Sequence, residues 1–255
     1  MLLTENSIMR IFVLSLLGLF FIVTSVPAQQ PGAENLDTVL RGWEKAMTDL
    51  RSFVAEVERS TLDKSLGARD DFKGYAMFVK PAPKDAGAKA RLELAKASDT
   101  KVFEKYICNG AFLYEYAPAT STIRIHDMPR NKKDGYQESF LSFLFGMGAE
   151  QAKLRYEMRH VVPEKRDEFY HYILIRPRTD QDKQDFVEAR LSLYRNTNLP
   201  AQIWYLQANK SEITWNFKNL QLDRQIPDAY FQPDQPKGWR VERVQPKTPV
   251  SVNQK

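Results

Sequence analysis

The sequence predicts a mainly β protein with a few helices: an incomplete, half-closed antiparallel β-barrel covering an N-terminal helix and a central apolar lid or plug helix. Three observations carry this. Apolar residues recur at helical spacing only until about residue 50, and at a period of two through most of the remaining chain. Turn-forming residues separate the alternating runs at short intervals. A single segment, residues 136–147, breaks the series by being apolar around nearly the whole helical circumference.

The first 28 residues read as a cleavable export signal. Arg10 supplies positive charge, Ile11 to Val23 is an apolar run, and Val26 and Ala28 mark a small-residue cleavage site. The run is shorter than the roughly 20 residues a bilayer span requires. Glu5 does not suit a signal head, so Met9 is the better start. No Cys follows the cut, and no lipid anchor is expected there. About 227 residues remain after cleavage, enough for one sizeable domain. The expected organisation is a signal peptide over 1–28, a single half-barrel domain over 29–240 and a disordered tail over 241–255.

Within the domain, Leu36, Val39, Leu40, Trp43, Met47 and Leu50 form one apolar stripe, with Asn35 as N-cap. Alternation then predicts strands through Phe53–Glu58, Phe72–Val79, Leu92–Leu94 and Val102–Cys108. Asn109-Gly110 is a type I′ hairpin signal. The returning strand places Phe112, Tyr114 and Tyr116 on one side, and Thr122–His126 follows. After the apolar segment, strands are expected over Leu154–Val162, Phe169–Ile175, Phe186–Tyr194, Ala201–Gln207 and Ser211–Leu220, with a polar loop over Pro177–Asp185. About ten or eleven short strands in series imply an antiparallel meander. Its edges must be closed or covered.

Chemistry-bearing patterns are scarce. His126, His160 and His171 lie in strand-like runs without metal-ligand spacing. Asp180, Asp182 and Asp185 resemble half a calcium loop, but its Gly and terminal Glu are missing. There is no nucleophile elbow and no phosphate-cradling loop. Cys108 is alone, which excludes an intramolecular disulfide; at the end of an apolar strand it reads as a small buried hydrophobe rather than a nucleophile. No enzyme, cofactor or metal is expected. The net charge of +5 is spread along the chain, unlike the dense basic stripes of nucleic-acid binders. Aromatic residues are plentiful, and an aromatic concave face would suit a hydrophobic ligand.

The order of motifs resembles the outer-membrane lipoprotein carrier family, the periplasmic LolA-type chaperones. The resemblance runs through Met47–Ala55, through Gly74-Tyr75-Ala76-Met77-Phe78-Val79-Lys80-Pro81, through Asn109–Pro118, and through Phe231–Trp239. It implies a half-barrel with helices as a lid and a non-catalytic role shielding lipoprotein acyl chains. The cavity candidates on this reading are Phe78, Phe112, Tyr114, Tyr116, Phe140 and Leu144. Lys80 stands where the family often has an Arg that pins the lid; it keeps the charge but lacks the planar fork. The expected partners are lipoprotein acyl chains or lipids, with transient inner- or outer-membrane protein contacts and no nucleic acid, for a periplasmic monomer. The alternative is an envelope sensor or interaction domain of the same fold that binds a protein.

Overall fold

The computed structural model describes residues 35–80, 87–128, 148–163, 165 and 167–244. The regions expected to form the signal peptide and the central apolar helix, including Phe140 and Leu144, lie outside these residues.

Helix α1 spans Leu36–Asp49. Asn35 caps it, its Oδ1 accepting from the Asp37 amide at 3.2 Å. Val39, Leu40 and Trp43 are its buried face. Strands β1 (Ser52–Asp63), β2 (Ala68–Val79), β3 (Lys89–Lys96), β4 (Asp99–Asn109), β5 (Phe112–Ala117) and β6 (Thr122–Asp127) follow as an antiparallel meander. A helix α2 (Ala149–Arg155) opens the second half. Strands β7 (Tyr156–Val161), β8 (Tyr170–Pro177), β9 (Glu188–Tyr194), β10 (Pro200–Leu206) and β11 (Ser211–Leu222) meander back, with a short α3 (Asp182–Asp185) between β8 and β9. A 3₁₀ turn over Asp228–Phe231 leads to β12 (Arg240–Val244).

These strands form one sheet in the order β12-β6-β5-β4-β3-β2-β1-β11-β10-β9-β8-β7. The two meanders meet where β11 pairs with β1, so the first strand sits near the middle of the sheet. The ends, β12 and β7, do not pair with each other, and the barrel is therefore incomplete. Among the described residues every pairing is antiparallel except β12 on β6.

The main core lies between α1, α2 and the β7–β10 half of the sheet. Val39, Leu40, Trp43, Tyr156, Phe186 and Ile175 are all within it. A second cluster, Val57, Phe72 and Leu94, covers the middle strands. A third, Ile107, Tyr116 and Ile123, lies on the opposite face of β4–β6, where Phe103, Tyr114 and Trp239 pack against it. The sheet is thus apolar on both faces, and a different part of the chain covers each.

Three sequence expectations need correction. Leu154 and Arg155 belong to α2, not to a strand; Ala149 and Ala152 bury one side of that helix while Leu154 is 81% exposed. Arg155 Nε donates to both Asp182 carboxylate oxygens at 2.9 Å, and Thr179 Oγ1 donates to the same carboxylate at 2.8 Å. That bond from Arg155 is the chief reason the Asp182 carboxyl titrates below its ordinary range. The neighbouring aspartate of the supposed calcium loop is no better placed for a shared ion, since Asp180 pairs with Lys183. No group of three metal-ligating side chains occurs among the described residues.

The hairpin turn is also shifted. Cys108 pairs with Leu113, which makes Gly110 and Ala111 the turn residues. Gly110 alone has positive φ there, +97°, whereas a type I′ turn needs two such residues. Asn109 acts through its side chain instead, Oδ1 accepting from the Ala111 and Phe112 amides at 3.0 and 2.9 Å. A Cβ on Gly110 would lie 2.8 Å from the Gly87 carbonyl oxygen, so the neighbouring loop also demands glycine.

Third, the tail does not lose structure at Val241. Residues 240–244 pair with Thr122–His126 as β12. All five are exposed, so low apolar content was no obstacle: an edge strand is held by its backbone ladder. Arg243 adds an ion pair to Asp127 at 2.5 Å and lies 5.2 Å over the Phe112 ring.

The chain reaches that edge across the convex face, where Tyr116 clamps it. The Tyr116 hydroxyl donates to the Asp234 carbonyl at 2.6 Å and accepts from the Asp234 amide at 3.0 Å. Burial, aided by the Asp234 carboxylate, raises the phenol to about 12. The folded value exceeds the ordinary 10.0, so this contribution is whole below pH 10 and is lost as pH rises through 12. Tyr116→Phe is expected to cost about 1–2 kcal/mol below pH 10 and to flatten the alkaline fall in stability. Thermal unfolding across that pH range checks it; identical curves for both proteins would refute the clamp.

Candidate functional site

A cavity of about 220 Å³ lies on the concave face, the volume that about seven water molecules fill in the liquid. Its walls come from α1 and from both halves of the sheet. Met47 and Leu50 contribute from α1 and its C-cap, Phe53 and Ala55 from β1, and Ala76 and Phe78 from β2. Ala90, Leu92, Tyr106 and Cys108 continue it across β3 and β4, and Leu113 extends it onto β5. On the other side stand Leu199, Ile203, Tyr205, Trp215, Phe217, Leu220 and Leu222.

Pairing register explains why these side chains converge. Phe53 faces Phe78, Phe78 faces Ala90, Ala90 faces Cys108, and Cys108 faces Leu113. Directly paired residues point to the same side of a sheet, so the row is continuous. The next row runs Ala55, Ala76, Leu92, Tyr106 in the same way. Both rows mix small residues with large ones, which leaves room above the alanines. Phe53 and Phe78 stack with centroids 5.7 Å apart.

On β11 strict alternation would separate Phe217 from Leu222, which are five residues apart. The pairing shifts by one residue between Val54 and Glu56, and Asn219 adopts φ +50° opposite that bulge. The extra residue restores parity, so Trp215, Phe217, Leu220 and Leu222 all reach the cavity.

Of the residues expected at the site, Phe78 lines this cavity. Phe112, Tyr114 and Tyr116 do not: β5 presents Leu113 to it. Tyr114 and Tyr116 join the convex cluster, Tyr116 lying 5.9 Å from the Trp239 ring. Pairing with β4 sets this: Cys108 faces Leu113 and lines the cavity, whereas Tyr114 faces Ile107 of the convex cluster, and either position of a two-residue turn gives this parity. Lys80 is exposed and its ammonium donates to the Thr48 carbonyl oxygen in the last turn of α1. It ties the end of β2 to the helix that carries Met47 and Leu50. Sequence reading passed over the small residues Ala55, Ala76 and Ala90. Their signal was alternation with Phe53, Phe78 and Leu92, which shows once cross-strand partners are known.

The titratable groups at the cavity are few among the described residues. Cys108 is its only thiol, and burial pushes it above its ordinary value, away from the nucleophilic thiolate. Its Sγ donates to the Ala88 carbonyl oxygen at 3.3 Å. Burial likewise raises Tyr106. The histidines lie elsewhere: His126 Nε2 is 2.9 Å from Glu115, and His160 and His171 pack ring to ring at 5.5 Å.

No protein-family model matches the sequence, and no curated protein matches it significantly. Several solved structures follow a similar chain course at low identity. An uncharacterized conserved protein from Thermus thermophilus is 10% identical, with TM-score 0.48 over 82% of this chain and 98% of that one. A structure of the Pseudomonas aeruginosa MucA/MucB complex gives 12% identity and TM-score 0.45; the match spans 77% of this chain but only 60% of that one. A LolA superfamily protein from Nitrosomonas europaea gives 11% identity and TM-score 0.34 over 79% and 99%. The chain is similar in course to these proteins, and LolA superfamily structures are among them.

Proposed function

We propose that this protein is a non-catalytic binding protein of the cell envelope that shields the acyl chain of a lipoprotein or lipid in its concave cavity. The observation that supports it is a cavity walled almost wholly by apolar side chains, on the face of a sheet that does not close. Water in such a space is poorly hydrogen-bonded, and an entering chain gains on the order of 0.8 kcal/mol per buried CH₂. Among the described residues, no group in the cavity wall is arranged to do chemistry on the chain, which fits carriage rather than turnover.

The reading includes export to the periplasm with removal of residues 1–28. Native mass spectrometry of protein purified from its own envelope tests both parts. A mature mass beginning at Gln29, with co-purifying acylated species and displacement of a fluorescent fatty-acid probe, is the expected result. A species free of lipid that also fails to displace the probe would sink the proposal.

A second reading rests on a separate observation. The β7 edge of the sheet carries exposed Val161 and Val162, with Phe169 75% exposed at the start of the adjoining strand. Among the described residues only β8 pairs with this strand, and a free edge with apolar neighbours can take an additional strand from a protein partner. In-cell crosslinking separates the two: one dominant protein partner favours the edge, many acylated species favour the cavity.

A further inference from the structure

The cavity ends in step on four consecutive strands. Ala55, Ala76, Leu92 and Tyr106 line it, and the next residues inward on the same face do not. Those residues are Val57, Gly74, Leu94 and Glu104, and Val57 and Leu94 are buried against Phe72 of the row beyond. Across them lies an ion pair. Arg59 on β1 reaches over β2 and β3 to Glu104 on β4, donating from both terminal nitrogens at 2.7 and 2.6 Å. Its guanidinium sits 4.5 Å from the Phe72 ring centroid and 5.4 Å from that of Trp215, itself a cavity residue. At the opposite end of the same strands Arg51, Lys80, Gly87 and Ala111 are exposed, and on the acyl-chain reading a chain would enter from that end.

We infer that the Arg59–Glu104 pair is a length stop: it sets how long an apolar chain the cavity accepts. This rests on the acyl-chain reading. A methyl terminus advancing past Tyr106 would have to part a two-point ion pair held against two aromatic rings, and would leave both charges facing hydrocarbon. Short of that point, every added methylene finds apolar wall. Affinity therefore rises roughly fourfold per CH₂ up to a defined chain length and then stops rising.

Calorimetric titration with a homologous series of saturated fatty acids, in parallel with peptides acylated by the same chains, tests this. The wild type should show a break at one length, and whichever series binds more tightly identifies free lipid or lipoprotein as the source. The double variant Arg59→Met/Glu104→Met removes both charges together, a change that packed interiors tolerate far better than loss of one partner. It should move the break to longer chains. A break that stays in place, or a wild type with no break, overturns the stop while leaving the cavity reading intact; a wild type that binds no chain defeats the cavity reading itself. A measurement on folded wild type guards against a variant that does not fold. A chain brominated at its methyl end should quench Trp215 fluorescence more than one brominated near its carboxylate, with the difference lost in Trp215→Phe. Equal quenching from both positions would show that the chain does not end at the pair.

Discussion

Replacing Ala76 by phenylalanine should weaken acyl-chain binding by on the order of 100-fold with the fold intact. Ala76 stands between Ala55 and Leu92 in the inner row of the cavity floor, where its small side chain is what leaves space above the sheet. A ring there occupies the room of about four methylenes, and forfeiting their burial costs about 3 kcal/mol. The ring projects into existing space rather than a packed interior, so the usual overpacking cost of about 1–3 kcal/mol should be largely avoided. Displacement of a fluorescent fatty acid measures the first effect and thermal unfolding the second. Unchanged affinity would mean that ligands do not occupy this cavity.

Trp43→Ala should produce the largest loss of stability of any single change to α1, about 3–5 kcal/mol. Trp43 is 4% exposed and packs in the main core with Val39 and Leu40. The helix is amphipathic and only 14 residues long, too short to persist without its packed face. The ion pair between Lys153 on α2 and Asp37 at 3.0 Å is partly exposed and compensates little. Since α1 carries Met47 and Leu50 into the cavity wall, binding should fall together with the denaturation midpoint. A stability change below about 1 kcal/mol would show that the helix is not held by this side chain.

Local signals explain which parts of this architecture were legible. The stripe from Leu36 to Leu50 named α1 and its buried residues because helical periodicity needs no knowledge of partners. Alternation found the strands for the same reason. It failed at α2, where a seven-residue helix runs directly into β7 and offers too few turns for its period to show. It failed again at β12, an edge strand whose side chains bury nothing. The face that carries the cavity was harder. Phe112, Tyr114 and Tyr116 are conspicuous aromatics, yet two of them pack with the convex cluster, while Leu113 and three alanines line the cavity.

By itself, then, the sequence determined a β meander with an N-terminal helix, an excess of apolar surface and no recognisable catalytic motif. Such properties follow from residue type and near-neighbour spacing. Tertiary structure alone decided which face of each strand is concave. That choice depends on which face of β4 meets α1, which β5 inherits through the Cys108–Leu113 pairing, and on the bulge at Asn219, whose one extra residue exchanges the faces of β11. It alone decided that Arg59 and Glu104, 45 residues apart, would meet across the face of the sheet beyond the Tyr106 row of the cavity. Ion pairing over such a distance has no signature in periodicity; it requires that the sheet first bring the two strands within a side chain's reach.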